Sequence, residues 1–111
     1  MGITVTGRTK AADALTPTTM FIHNGDPGAS GTANVISTGQ PCTFGAAANG
    51  VRALSNTPEF AVDAGDTVTH VSVRDSASDV IVVDPLDAPE TYSNAGTHRV
   101  TAGSIQINAP A

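Results

Sequence analysis

Three histidines, one cysteine and ten carboxylates are the groups in this sequence from which chemistry could be built. His23, His70 and His98 are far apart, and none forms a H-x-x-x-H pair or neighbours a cysteine at metal-ligand spacing. A sheet could still bring His23 and Asp26 beside His70, which would give a small metal-dependent hydrolase. The plainer reading places each histidine on a strand, at a rim or surface. Cys42 sits in Pro41-Cys42-Thr43-Phe44 with no histidine nearby. A nucleophilic thiol needs an electropositive, partly exposed setting, so Cys42 reads as a small buried hydrophobe.

The carboxylates are equally unspecific. Asp26-Pro27 and Asp84-Pro85-Leu86-Asp87 carry Asp before Pro, a turn-initiating pair. Asp63 with Asp66, or Asp75 with Asp79, could offer oxygen ligands, but neither follows a calcium-loop spacing. There is no G-x-S-x-G elbow and no phosphate-binding loop. With no Trp, one Tyr and three Phe, the chain has few rings on which a sugar could stack. The expectation is a protein that is not an enzyme, has no catalytic or metal-binding residues, and takes no cofactor.

Charge narrows the partners. The net charge is −5, and the five basic residues Arg8, Lys10, Arg52, Arg74 and Arg99 are scattered. A phosphate backbone is bound by clustered cations, so no nucleic-acid partner is expected. Eight of the ten acids lie between Glu59 and Glu90, with only Arg74 among them, so a partner there should be neutral or basic. The longest apolar run, Val80-Ile81-Val82-Val83, is far short of the ~20 residues that span a membrane, and no membrane partner is expected. The first residues lack the basic start and apolar stretch of a signal peptide, which predicts synthesis and folding in the cytoplasm of whatever cell makes the protein. A single cysteine leaves packing, not disulfides, to hold the fold.

The elements that must position these groups are strands. Period-2 patterning predicts them at Thr18–His23, Phe60–Val62, Thr69–Arg74 and Ser104–Asn108, with another around Pro41–Phe44. Val80–Val83 is apolar on both faces, which fits a covered central strand or one with a face in an interface. Asn24-Gly25-Asp26-Pro27-Gly28, Asn49-Gly50, Asp63-Ala64-Gly65-Asp66 and Asn94-Ala95-Gly96 supply the turns. Only Thr9–Leu15 reads as helix, stopped by Pro17 and too short to stand alone. The fold class expected is all-β: a single antiparallel β-sandwich of about seven or eight short strands, with residues 1–17 as an N-terminal arm or short docking helix and 18–111 as the sandwich.

Four pieces in order carry a resemblance. They are Met20-Phe21-Ile22-His23-Asn24-Gly25-Asp26-Pro27-Gly28, then Cys42-Thr43-Phe44-Gly45-Ala46-Ala47-Ala48-Asn49-Gly50, then Ala64-Gly65-Asp66-Thr67-Val68-Thr69-His70-Val71, then Leu86-Asp87-Ala88-Pro89-Glu90-Thr91-Tyr92 before a closing strand. Together they resemble small bacteriophage virion β-sandwich proteins of the head-decoration, minor-capsid or tail-fibre-like kind. The resemblance implies a virion component without catalytic residues. The sequence departs from those proteins at Ser72-Val73-Arg74, where they carry a bulky aromatic, and at Ile36-Ser37-Thr38-Gly39-Gln40, where they carry Tyr-Ala-Arg.

The leading expectation is a capsid decoration or minor capsid protein that binds the outside of the head and stabilises it. Its partners would be the major capsid protein and copies of itself, in a trimer or other symmetric assembly. The alternative is a tail-fibre or tail-tip module recognising the host surface. Interface residues are expected on the N-terminal arm (Arg8, Lys10, Leu15), in the long small-residue segment 29–40 (Val35, Ile36) and at Arg74. Both segments read as docking arms ordered by a partner.

Overall fold

Among the described residues, alternation of apolar and polar side chains produces eight strands, which one helix precedes. The computed structural model describes residues 4–106: α1 (Val5–Ala14), β1 (Pro17–His23), β2 (Gln40–Pro41), β3 (Val51–Ala53), β4 (Glu59–Val62), β5 (Thr67–Asp75), β6 (Val80–Thr91), β7 (Gly96–Arg99) and β8 (Ser104–Gln106). The protein is therefore all-β with a short N-terminal helix, as expected. Residues 107 and 108 of the last expected strand lie outside the described residues.

Strands β2-β1-β5-β6 form an antiparallel four-stranded sheet, while β3–β8 and β4–β7 form two-stranded ribbons. Met20 and Ile22 of β1, with Val68 and Val73 of β5, pack against Phe60 and Val62 of β4 and against Cys42. Thr19, Phe21 and His23 alternate to the other face of the sheet. There, the chain from Asn24 to Ile36 folds back over β1 and β6. Its closure is internal: Asn24 donates to the Asn34 carbonyl at 3.0 Å, Ala33 to that of Pro27 at 3.0 Å, and Ile36 to that of Ile22 at 3.2 Å. Gly31 lies against Val80 and Val83, so one side of the apolar run at the start of β6 is covered by this loop.

Asn49 and Gly50 both have positive φ, and Ala48 and Val51 exchange two backbone hydrogen bonds of 2.9 Å. This is the two-residue hairpin that the Asn-Gly pair predicts. The helix is longer at its start than Thr9–Leu15 suggests, because Thr4 Oγ1 caps it by accepting from the Gly7 amide at 3.0 Å. Its other end is held by Arg52 of β3, which donates to the carbonyls of Leu15 (2.7 Å), Gly45 (2.9 Å) and Phe44 (3.2 Å). Asp13 accepts from the Ala47 amide and Thr9 from that of Gly50, so the N-terminal segment docks on the β3 hairpin.

The last feature that matters for function is the edge strand β6. Its pairing with β5 runs Thr67↔Thr91 and Val68↔Glu90, then resumes at His70↔Pro85, leaving residues 86–89 opposite Thr69 alone. This wide bulge swings Leu86-Asp87-Ala88-Pro89 out of the ladder.

Candidate binding cleft

Among the described residues, a concavity is left beside β6 at the edge of the four-stranded sheet. The resulting cleft is about 570 Å³ and runs between β6 and the stretch from His98 to Ile105. Its floor is core surface from Met20, Val73 and Phe44, and its rim carries Asp84, Asp87 and Glu90. Val71, Val82, Leu86 and Val100 line it as apolar side chains that are only partly buried. The bulge places Leu86 and Asp87 here, since without it the strand would continue along the ladder.

One end of the cleft is closed by a small polar cluster. His98 Nδ1 lies 2.8 Å from Glu90 Oε2 and 3.0 Å from the Tyr92 hydroxyl, which donates to Glu90 at 3.3 Å. The Tyr92 and His98 rings meet edge-to-face with centroids 6.2 Å apart. Burial raises the tyrosine pKa, and the charge and hydrogen bond of Glu90 push it the same way. Across β4–β7, Arg99 donates to Glu59 at 2.7 Å. Among the described residues, no ion pair or side-chain hydrogen bond engages the carboxylates of Asp84 and Asp87, both of which are exposed.

The groups singled out in the sequence do not converge. His23 is fully buried; its Nδ1–H donates to the Ala33 carbonyl and its Nε2 accepts from the Ser72 hydroxyl, each at 2.7 Å, so both ring nitrogens are spent. Burial lowers its pKa, and the charges of His70 and Arg74 add to that against the Ala33 hydrogen bond. His70 Nδ1 pairs with Thr69 at 2.8 Å, and Asp26 accepts from the Gly28 amide at 2.9 Å. Among the described residues there is no group of three or more side chains that could hold a metal ion. Asp75 accepts from the amides of Ala77 and Asp79 in the β5–β6 turn, and Asp66 donates its amide to the Asp63 carbonyl in the β4–β5 turn. Cys42 is buried, which pushes its thiol pKa up to about 11; a thiol so protonated is a poor nucleophile.

The expected interface residues lie on three different elements. Arg8 and Lys10 are on α1, and Leu15 is its C-cap, with its carbonyl engaged by Arg52. Val35 is 38% exposed and bridges His23, while Ile36 packs against the core. The Arg74 guanidinium lies 4.1 Å over the Phe21 ring on the outer face of the sheet. Sequence reasoning missed Arg52 as a clamp and the Glu90–Tyr92–His98 cluster. The alternation Glu90-x-Tyr92, which puts both side chains on one face of a strand, was the available signal.

A family model described as podophage GP4 fiber I protein gp80 matches residues 3–108 of the chain. No curated protein matches it.

Proposed function

The chain belongs to the podophage GP4 fiber I protein gp80 family, a family of phage virion structural proteins, and we propose that it is a non-enzymatic subunit of a virion fibre. The observation that carries this reading is the family match across nearly the whole chain, residues 3–108 of 111. A fibre family favours the tail-fibre alternative over capsid decoration. The structure adds support of a physical kind. Both histidines of the would-be metal triad are engaged by neighbouring side chains or backbone, and the one thiol is buried. What remains outward-facing is an acidic strand edge and a cleft, features suited to holding another surface.

The reading is tested by locating the protein on the virion with a gold-labelled antibody and by comparing virions made with and without it. A fibre subunit labels fibres, and its loss lowers adsorption to host cells while leaving the melting temperature of the head unchanged. Label spread over the head shell, with a lower head melting temperature on deletion, would overturn it in favour of decoration on the major capsid protein. Assembly into a trimer belongs to the same proposal, and light scattering of the free protein measures it.

A further inference from the structure

The cleft beside β6 combines three properties that stability alone does not require. Val71, Val82, Leu86 and Val100 stay partly exposed in a concavity, although a protein this small has little apolar surface to leave uncovered. The concavity, about 570 Å³, is in the range of sites that enclose a ligand. Its rim is unbalanced in charge: Glu90 is matched by His98, and the Arg99 that also lines the cleft by Glu59, but Asp84 and Asp87 make no ion pair among the described residues.

We propose that this cleft seats an extended basic and apolar segment of a partner protein, with a cationic side chain on the carboxylates of Asp84 and Asp87 and apolar neighbours on Val82 and Leu86. A guanidinium would suit the pair best, because charge-assisted hydrogen bonds to carboxylates are about twice as strong as neutral ones and gain further beside an apolar wall. The occupant enters the crevice and does not extend the sheet. Pro85 and Pro89 offer no N–H along the β6 edge, and the bulge at 86–89 breaks the straight template that an added strand would need. An extended chain fits the shape, since the rim follows the strand from Asp84 to Glu90. A sugar fits less well, because Phe44 and His98 are the only aromatic rings lining the cleft among the described residues and His98 is tied to Glu90 and Tyr92.

The proposal rests on the cleft and not on the fibre reading. Its experiment is therefore done on the isolated full-length protein, where location on the virion has no bearing. The labelled protein is titrated in the NMR spectrometer with a blocked pentapeptide of alternating valine and arginine, with its valine and glutamate counterpart, and with a neutral oligosaccharide of N-acetylglucosamine. The expected result is a set of shifts centred on Val71, Val82, Leu86 and Val100 with the arginine peptide alone. Binding should weaken about tenfold in D84N/D87N and several-fold between about 50 and about 500 mM salt. Both aspartates are exposed and unpaired, so the variant keeps its fold, which its own spectrum verifies. Absence of shifts, equal binding of the glutamate peptide, an unchanged affinity in D84N/D87N, or cleft shifts with the oligosaccharide in place of the arginine peptide would each overturn it.

Discussion

Nε2 of His23 lies 2.7 Å from Oγ of Ser72, so a histidine on β1 and a serine on β5 share a hydrogen bond under a loop that excludes water. The same ring reaches the Ala33 carbonyl from its other nitrogen. One neutral side chain therefore fastens the 24–36 loop to the centre of the large sheet. Within the chain, the loop's small and polar residues are held by this ring and by the backbone bonds at Asn24, Ala33 and Ile36.

Replacing that ring isolates one buried polar group and one part-buried one. His23→Phe keeps an aromatic ring, slightly larger, but leaves the Ser72 hydroxyl and the Ala33 carbonyl without their partner, for a cost of about 2–4 kcal/mol. Urea unfolding measures it. Stability should also depend on pH through this group. Its folded pKa lies below the usual ~6.5, so between those two values the unfolded chain binds more protons. The His23 contribution is then complete above ~6.5 and is lost as the pH falls from there through the folded value. Thermal melts from about pH 5 to 8 should show this rise in the parent protein and a flatter profile in His23→Phe.

Arg52 presents a second test. Its guanidinium joins the C-terminal end of α1 to the carbonyls of Phe44 and Gly45, positions only a planar, multi-donor group can serve together. Arg52→Met should cost about 1.5–3 kcal/mol and speed amide exchange in α1 before the rest of the fold. Arg52→Lys, with one compact charge, should recover only part of the loss. Hydrogen exchange read residue by residue distinguishes local release of the helix from uniform weakening.

Packing of the loop on β6 is open to a double-mutant cycle. A Cβ on Gly31 would fall 2.6 Å from Val80 Cγ1, and the glycine has φ of +72°. Valine is stiff at χ1 and cannot turn aside cheaply. Gly31→Ala should therefore destabilise by about 2–4 kcal/mol, from the clash together with the left-handed backbone. Adding Val80→Ala should return about 1 kcal/mol of that, leaving the backbone part in place. Chemical denaturation of the two single variants and the double variant gives the coupling.

The strands were legible where alternation was clean. Thr18–His23, Phe60–Val62 and Thr69–Arg74 sit within observed strands, and Asn49-Gly50 makes the turn its chemistry demands. The second half of β6 was not legible, because Asp84-Pro85 and Ala88-Pro89 carry turn signals. A strand on the edge of a sheet tolerates prolines that a central one would not. Gly7 hid the first turn of the helix in the same way, a weak former kept in place by the Thr4 cap and by contacts far along the chain. The cleft itself depends on residues as distant as Met20, Leu86 and Ile105 and on a three-residue slip in register. Nothing local in the sequence encodes either.

The register of β1 against β5 sets a timetable for the newborn chain. β1 ends at His23, and its partner strand is finished only at Asp75, 52 residues later. At ~5–20 residues per second, translation delivers that partner roughly 3–10 s after β1 has been made. Gln40 and Pro41 arrive sooner but give β1 only a two-residue neighbour. During the wait, Phe21 and Ile22 have no lasting shelter. The threonines at positions 16, 18 and 19 keep their flank wetted in the meantime, and the large sheet cannot zip shut before β5 has left the ribosome.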